Sequence, residues 1–304
     1  FLILDEIHRY AALTFKNVFK VITYDFILGL TATLSRADGK HELLQAHAPV
    51  IEVINMKMAI KNNWVSEYLI FNLGIDLPPT ALAEYEQITK KFNQFFAMFG
   101  HNFNLAMECL KDPITRAQVA NNNNWTDRDV HTFAIQFMRY MAKRKKFINE
   151  HPIKLWYAKQ IADKFNKATM IVFSETTEFA DELVKLLGEK RATSFHSKVG
   201  KKELTKRMKR FKDKRTNLKI LSTARALDEG FNVEGIDFAL ICAGNSTTRQ
   251  SVQRVGRAIR AKEGKQAFIV NLYLKGTQDE RWTEKRLATL PNVHWIDNIE
   301  EIDY

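Results

Sequence analysis

Short apolar runs that end abruptly in polar residues constrain the fold of this chain more than any other feature of its sequence. Phe1–Leu4 is followed directly by Asp5 and Glu6, and Phe26–Leu30 is followed by Thr31. Continuous apolar runs of this length are typical of parallel strands that are buried on both faces. The sequence therefore predicts an α/β fold, in which ligands bind at the carboxyl ends of the strands.

The same pattern continues downstream, where apolar runs alternate with segments of helical periodicity. A helical stretch begins at Thr80, breaks at 121–124 and resumes from Asp127 to about Ile148. Because some 70 residues are too many for a simple connection between a helix and a strand, we predict a helical insertion. Six further strands are predicted at 67–77, 168–173, 192–195, 219–222, 238–242 and 267–272, and a short strand is predicted within 41–54.

Composition allows two ordinary domains and favours a polyanionic partner. The chain has 304 residues, 45% of them hydrophobic, and a formal net charge of +11. Such a charge indicates nucleic acid or an acidic membrane surface, and charge alone does not separate the two. No apolar run approaches the ~20 residues that cross a bilayer, so we expect no membrane partner. Two distant cysteines fit a reducing compartment, so we expect a cytoplasmic or nuclear protein that is not secreted.

A cluster of arginines lies near the carboxyl end, where residues 253–260 read Gln-Arg-Val-Gly-Arg-Ala-Ile-Arg. If this stretch opens a helix, Arg257 and Arg260 lie three residues apart and project from the same face. Two guanidinium groups on one face suit a polyphosphate whose negative charge grows during phosphoryl transfer. A solvated basic helix end is the alternative interpretation, and the arginines alone do not exclude it.

Three motifs taken together resemble those of superfamily 2 helicases and translocases, in the DEAD/DEAH-like group. They are Asp-Glu-x-His at 5–8, Leu-Thr-Ala-Thr at 30–33 and Gln-x-x-Gly-Arg-x-x-Arg at 253–260. Their order and spacing are those of motifs II, III and VI of that family. Residues 35–38 read Ser-Arg-Ala-Asp and are similar to the Arg-Glu-Asp element of the XPB-like branch, with Ala37 in place of the glutamate.

The resemblance implies two RecA-like parallel-sheet domains. We expect the carboxyl-terminal part of the first domain over 1–60, the second over 61–280 with the insertion at about 80–148, and a tail at 281–304. The Gly-x-x-x-x-Gly-Lys-Thr/Ser loop with which this family begins does not occur in the sequence. We therefore expect the chain to be a fragment of a longer protein, with its first domain incomplete.

The resemblance also implies that ATP and Mg²⁺ bind in a cleft between the two domains. Asp5 would hold Mg²⁺, and Glu6 would orient or deprotonate the attacking water. Arg257 and Arg260 would act on the γ-phosphate from the other wall of the cleft. The residues implied in nucleotide binding or in coupling the two domains are His8, Thr31, Thr33, Glu229, Gly230, Gln253, Arg254 and Gly256.

Nucleic acid is the implied partner, DNA rather than RNA. The segment that begins at Thr223 resembles motif V, and the turn after the strand at 192–195 resembles motif IVa. The residues that we expect to contact the nucleic-acid backbone are Arg36, Ser197, Lys198, Thr223 and Arg225. The basic side chains of the helical insertion and of the helix predicted over 201–215 either meet phosphates as well or are simply solvated.

Two alternative functions stay open. The chain could be a nucleic-acid-binding fragment without ATPase activity of its own, because the phosphate-binding lysine loop does not occur in it. It could also be a RecA-like ATPase that acts on protein complexes. The individual motifs have structural explanations too, since an acidic pair at a strand end can cap the next helix and strand-end threonines can satisfy local hydrogen bonds.

Overall fold

The computed structural model describes residues 1–11, 17–31, 34, 41–62, 64, 68–213, 215–224, 236–243, 267–288 and 290–303. Their strands form two parallel sheets, one with two strands near the amino terminus and one with seven. The connections that lie wholly within the described residues contain helices, as long parallel crossovers require. The predicted α/β fold is confirmed.

The amino-terminal unit is built around the two-stranded sheet. Its strands pair in parallel, with Leu2 opposite Ile27 and Leu4 opposite Gly29. One face of the sheet packs on a small core that includes Leu4 and Leu44, whereas Ile3 on the other face is exposed. The elements are β1 (Leu2–Leu4), a 3₁₀ helix (Ile7–Ala11), α1 (Val18–Val21), β2 (Ile27–Gly29), α2 (His41–His47) and α3 (Met56–Lys61).

The seven-stranded sheet contains the main core of the molecule. Its strands are β3 (Tyr68–Ile75), β4 (Met170–Ser174), β5 (Ala192–Phe195), β6 (Ile220–Ala224), β7 (Phe238–Ile241), β8 (Ala267–Leu274) and β9 (Val293–Ile296), in the order β5-β6-β4-β7-β8-β3-β9. Helices α8 (Pro152–Lys164) and α9 (Thr177–Leu187) cover one face. Phe211 of α10 (Lys201–Lys212) and Leu287 of α11 (Gln278–Leu287) pack on the other face.

Five helices lie between β3 and β4, and the first four fall where the insertion was predicted: α4 (Pro79–Ala97), α5 (Phe103–Lys111), α6 (Pro113–Asn123) and α7 (Asp127–Glu150). The sequence predicted one helix from Thr80 to the asparagines, but two further breaks occur. Gly100 and His101 adopt positive φ angles of 57° and 59°, which ends α4. Asp112 accepts hydrogen bonds from the backbone N–H groups of residues 114 and 115, and so starts α6.

A buried amide pair lies in the middle of the large sheet. Asn72 of β3 stands opposite Asn271 of β8, and the Asn271 Nδ2 donates to the Asn72 Oδ1 at 2.8 Å. A one-residue slip between these strands would separate the two amides and leave both buried without this bond. The pair therefore favours a single register between two otherwise apolar strands.

Two predictions about the strands differ from the structure. No strand was predicted after the one at 267–272, but β9 follows α11 and pairs in parallel with β3, with Ile70 opposite Val293. The short strand predicted within 41–54 is wrong, because α2 ends at His47 and residues 48–55 contain no strand. An apolar run of this kind becomes a strand only where a neighbouring strand accepts its backbone hydrogen bonds.

Candidate functional site

The acidic motif and the threonine motif lie side by side at the carboxyl ends of β1 and β2. The Leu30 N–H donates to the Leu4 carbonyl at 2.9 Å, and the Ile7 N–H donates to the Leu30 carbonyl at 2.9 Å. These bonds extend the parallel pairing beyond the strands themselves. Consequently Asp5 and Glu6 lie next to Thr31 at the carboxyl ends of the strands. This is the edge at which α/β sheets bind ligands.

His8 links the two motifs. Its Nδ1 atom lies 2.9 Å from the Thr31 Oγ1 and 3.2 Å from the Glu6 Oε2. The imidazole is buried, with 7% of its side chain exposed, whereas 34% of the Glu6 side chain is exposed. Of these two contacts, the one to Thr31 has hydrogen-bond geometry, and the one to Glu6 is a close approach of the imidazole to a carboxylate.

The backbone of Glu6 has an uncommon conformation. Its φ angle is 51°, in the left-handed region that side chains other than glycine and asparagine rarely adopt. The Asp5 Oδ1 accepts a hydrogen bond from the Glu6 N–H at 2.9 Å, which stabilises this turn. The turn bends the chain directly after β1 and brings the Glu6 carboxylate back to His8. Strained residues of this kind concentrate at functional sites.

Gly29 allows the 3₁₀ helix that carries His8 to lie close to β2. A Cβ atom at this position would stand 2.3 Å from the Ile7 Cδ1, well inside contact distance. The isoleucine in turn is buried in the amino-terminal core. The glycine therefore helps to fix the distance between His8 and Thr31.

The donor set at this edge fits Mg²⁺ held together with a nucleotide. Within the described part of the chain, no group of three or more His, Cys, Asp or Glu side chains could enclose a metal ion. Mg²⁺ in phosphoryl-transfer sites is normally bound by one or two carboxylates, water and substrate phosphates, so it needs no such enclosure. Asp5 is an exposed carboxylate at the strand end, and this is the chemistry that such a site requires.

The other half of the predicted nucleotide site lies outside the described residues, and its geometry stays a prediction. It includes the two arginines expected to act on the γ-phosphate. The predicted residues that fall there are Thr33, Arg36, Arg225, Glu229, Gly230, Gln253, Arg254, Gly256, Arg257 and Arg260.

Three residues predicted to contact nucleic acid lie at the carboxyl edge of the large sheet, with very different exposure. Ser197 and Lys198 are exposed in the turn after β5. Lys198 donates to Glu178 of α9, and this hydrogen bond lowers the pKa of Glu178 to about 2. Thr223 is fully buried on β6, and its carbonyl accepts a hydrogen bond from the Ser174 hydroxyl at 3.1 Å. A phosphate therefore has direct access to the first two side chains.

A histidine–aspartate pair that sequence analysis did not predict supports the turn at Ser197. The His196 Nε2 lies 2.9 Å from the Asp181 Oδ1 of α9. Burial alone would raise the pKa of Asp181, but hydrogen bonds from His196 and Ser194 lower it below its usual value. The partners are 15 residues apart on different elements, so no local motif could have indicated the pair.

A second unpredicted group connects the helical insertion to the large sheet. The Gln278 N–H donates to the Tyr85 hydroxyl of α4 at 2.8 Å. The Arg144 guanidinium of α7 lies 4.2 Å from the centre of the Phe92 ring, and burial there lowers its pKa. Arg144 is one of the basic side chains of the insertion that were expected either to meet phosphates or to be solvated, but its guanidinium stacks on Phe92 and donates to the Gln278 Oε1 at 3.4 Å.

The insertion is followed by a buried ion pair between α8 and α11. Lys154 and Asp279 are almost fully buried, with their Nζ and Oδ2 atoms 2.6 Å apart. The Asp279 Oδ2 also accepts a hydrogen bond from the Leu274 N–H at the end of β8. The start of α8, directly after α7, is thereby fixed to the carboxyl edge of the sheet.

Comparison with known proteins yields two family matches. Residues 153–262 match the family described as the helicase conserved C-terminal domain, and residues 1–36 match the res subunit of type III restriction enzymes. The first match spans α8 to the segment that contains the arginine motif. The second contains β1, the acidic motif, β2 and the threonine motif.

Similar proteins cover nearly the whole chain. The DNA 3'-5' translocase XPB2 of Sulfurisphaera tokodaii is 26% identical over 285 residues, which are 94% of this chain and 61% of that protein. The chain therefore spans about three fifths of the length of this relative. None of the helices in the described residues is long and apolar enough to cross a membrane.

Solved structures share the fold at low sequence identity. The Pyrococcus furiosus Hef helicase domain matches with a TM-score of 0.53 and 15% identity, over 92% of this chain and 72% of that one. S. cerevisiae Dbp5 bound to RNA and ADP BeF3 matches with a TM-score of 0.51 and 11% identity, over 97% of this chain and 59% of that one.

The parallel sheets and these structural neighbours show the fold of RecA-like helicase domains. In sequence, the chain is similar to superfamily 2 helicases of the XPB-like type.

Proposed function

We propose that the chain is part of an ATP-dependent translocase or helicase that acts on DNA. The observation that carries the proposal is the contact of His8 with both Glu6 and Thr31, because it joins the acidic and threonine motifs at one strand edge. The choice of DNA is supported by the relative described as a DNA translocase. The positive charge of +11 suits either nucleic acid.

The acidic pair would carry out the chemistry at the γ-phosphate. Asp5 would hold the Mg²⁺ that neutralises phosphate charge, and the adjacent Glu6 would accept a proton from the attacking water. The His8 Nδ1 lies 3.2 Å from the Glu6 Oε2 and would help to orient this carboxylate. Because Glu6 is only partly buried, water can reach it. Arg257 and Arg260 would stabilise the negative charge of the transition state, a contribution of about 10³–10⁵ in rate in related enzymes.

The contact between His8 and Thr31 would also transmit the state of the nucleotide. A change in the position of Glu6 on hydrolysis would move a carboxylate that lies 3.2 Å from the His8 Nδ1, and would therefore affect the hydrogen bond between this atom and Thr31. Beside the large sheet, Tyr85 of the insertion is joined to Gln278 of α11, and the buried Lys154–Asp279 pair joins α8, the helix after the insertion, to α11. We propose that the insertion moves with this sheet as one body when the domains close and open around ATP.

Nucleic acid would be bound mainly through its phosphates. Ser197 and Lys198 are exposed at the carboxyl edge of the large sheet, and the His196–Asp181 bond fixes the turn that presents them. Contacts of this kind do not read sequence, so affinity should be similar for unrelated DNA sequences and should fall steeply with salt. Double-stranded and single-stranded DNA should both be tested as the substrate for translocation.

ATP hydrolysis, with and without DNA, tests the proposal. The assay uses the 304-residue chain and the longest polypeptide that its gene encodes. We expect DNA to stimulate hydrolysis by the latter, and Glu6→Gln to lower the stimulated rate by about 10²–10⁴-fold, the usual contribution of a general base. Glu52→Gln, at an exposed position in the same unit, should leave the rate unchanged. Equal rates for Glu6→Gln and wild type would contradict the role of Glu6.

The second candidate is a nucleic-acid-binding module without ATPase activity, and one observation favours it. The 304 residues contain no Gly-x-x-x-x-Gly-Lys-Thr/Ser loop to hold the phosphates of ATP. DNA binding without hydrolysis by both polypeptides would support this candidate over the translocase. Hydrolysis stimulated by protein complexes but not by DNA would contradict both.

A further inference from the structure

A groove lies between β5 and α10, at one end of the strand order of the large sheet. Its volume is about 450 Å³, within the range of ligand-binding grooves. It is remote in sequence from the acidic and threonine motifs. The residues that line it in the described part of the chain are Phe195, Leu204, Thr205, Met208, Lys209 and Lys212.

The floor of the groove is apolar and its rim is basic. Phe195, Leu204 and Met208 are half-buried and together offer aromatic, branched and flexible apolar surface. A methionine in such a floor adapts to side chains of different shape. Lys209 and Lys212 are exposed beside this floor. The groove therefore combines a place for apolar side chains with ammonium groups placed to meet acidic ones.

The net charge of α10 as a whole indicates the charge of the partner. Its sequence, Lys-Lys-Glu-Leu-Thr-Lys-Arg-Met-Lys-Arg-Phe-Lys, contains seven basic residues and one acidic residue. The acidic residue, Glu203, is already bound by Arg207 at 3.1 Å. A basic or neutral partner would leave this charge uncompensated, so electrostatic complementarity favours an acidic one.

The outer edge of β5 is already occupied, which argues against a partner that adds a strand. The Ala192 N–H donates to the Gly188 carbonyl at 3.0 Å. The Arg207 guanidinium donates to the Ser194 carbonyl at 3.0 Å and to its hydroxyl at 2.8 Å. A strand added at this edge would have to break these bonds. A helix that lays one apolar face into the groove leaves them intact.

We propose that the groove between β5 and α10 docks an acidic amphipathic helix of a partner protein. Apolar side chains one turn apart on the partner contact Phe195, Leu204 and Met208. Glutamates or aspartates beside them meet Lys209 and Lys212. Single-stranded nucleic acid suits the site less well, because the floor offers its bases almost no hydrogen-bonding groups.

A designed peptide tests the proposal. The probe is a fluorescein-labelled peptide of about 16 residues, long enough to form a helix, with leucines on one face and glutamates elsewhere. We expect it to bind the full chain, with its fluorescence anisotropy as the measurement. Lys209→Glu/Lys212→Glu should weaken binding by about tenfold or more, since two attractive pairs become repulsive.

A second double variant distinguishes the contribution of the groove to peptide binding from that of the net charge of α10. Lys202→Glu/Lys206→Glu makes the same change in net charge on the same helix, at exposed positions outside the lining. This variant should change the affinity by less than about threefold. A peptide with serines in place of the leucines should not bind. Circular dichroism should give both variants the same helix content as the wild type.

Three outcomes would overturn the proposal. Equal weakening by the two double variants would mean that the peptide responds to charge alone. Equal binding of the serine peptide would mean that the apolar floor is not used. Displacement of the leucine peptide by an oligothymidylate, with oligothymidylate binding lost in Lys209→Glu/Lys212→Glu but kept in Lys202→Glu/Lys206→Glu, would identify the groove as a nucleic-acid site instead.

Discussion

The two parallel sheets of this molecule have similarly apolar strands, but these strands differ in how much of their surface is buried. In the large sheet every residue of β4 and β7 is buried, and helices cover both faces. In the two-stranded sheet Ile3 and Leu28 are 63% and 37% exposed although they lie within equally apolar runs. A continuous apolar run therefore predicts a parallel strand, but its burial depends on elements that are distant in sequence.

The two units also differ in what holds them together. The large sheet rests on two extensive apolar clusters, whereas the buried cluster of the small unit consists of Leu4, Ile7, Ala11 and Leu44. The small unit adds a polar group, His8 with Glu6 and Thr31, at its functional edge. Substitutions of equal size should consequently have unequal effects where burial differs, and the following four predictions measure this.

The largest difference is expected for phenylalanine truncation. Phe238 of β7 is fully buried and stacks on Phe165 with ring centres 4.9 Å apart, so Phe238→Ala should lower the free energy of unfolding by about 3–5 kcal/mol. Phe26 stacks on Phe1 but is 62% exposed, and Phe26→Ala should cost about 0.5 kcal/mol. Urea denaturation followed by circular dichroism measures both. Similar losses would mean that Phe26 is covered in solution.

The next prediction compares two ion pairs on α8 that have equal length but different burial. Lys154–Asp279 and Lys159–Asp163 each have Nζ and Oδ2 atoms 2.6 Å apart, and only the first is buried. Lys154→Met leaves a buried carboxylate without its cation and should cost about 3 kcal/mol. Lys159→Met should cost less than about 1 kcal/mol, because water screens an exposed pair.

Thermal unfolding of the two lysine variants measures this difference. Retention of the wild-type midpoint by Lys154→Met would contradict a stabilising role for the buried pair. A second readout comes from adding Asp279→Asn to Lys154→Met. Because the amide carries no charge, the double variant should recover part of the lost stability.

A smaller and local effect is expected at the polar group of the small unit. Thr31→Val removes the hydroxyl that lies 2.9 Å from the His8 Nδ1 and keeps the shape of the side chain. Loss of this bond should cost about 1 kcal/mol, or about fivefold faster exchange of the amide hydrogens that join β1 and β2. Hydrogen exchange of Leu2 and Leu30 measures it. The amides of β4 serve as the internal control, and equal acceleration there would indicate global destabilisation instead.

Much of the fold could be predicted because the large sheet follows the apolar pattern closely. The strand predicted at 192–195 has those bounds in β5, and the strand predicted at 168–173 is β4. β9 was missed because it has only four residues, two of them exposed, and depends on pairing with β3. The opposite error occurred at 48–55, where a largely apolar segment led to the prediction of a strand but forms none.

Half of the candidate site could be predicted for a topological reason. Adjacent parallel strands bring their carboxyl ends together, so the proximity of Asp5, Glu6, His8 and Thr31 followed once two neighbouring strands were identified. Side-chain exposure did not follow, as the burial of Thr223 on β6 shows. The Lys154–Asp279 pair joins residues 125 positions apart, and nothing in the local sequence at either residue marks it.

The smallest effect is a dependence of stability on pH at the end of the insertion. Burial lowers the pKa of His151 below its usual value of 6.5, with Glu84 opposing and Lys154 assisting the shift. The unfolded chain therefore takes up the proton at higher pH than the folded chain, so this contribution to stability is present above about pH 6.5 and is lost as the pH falls below it. His151→Asn keeps an acceptor for the Ile153 N–H at the start of α8 but does not titrate. The midpoint of thermal unfolding should thus fall less for this variant than for the wild type between roughly pH 7.5 and 5.5. If the unfolding midpoints of the variant and the wild type depended on pH to the same extent, His151 would be hydrated at the junction of α7 and α8. This part of the large unit would then be as open to solvent as the exposed face of the two-stranded sheet.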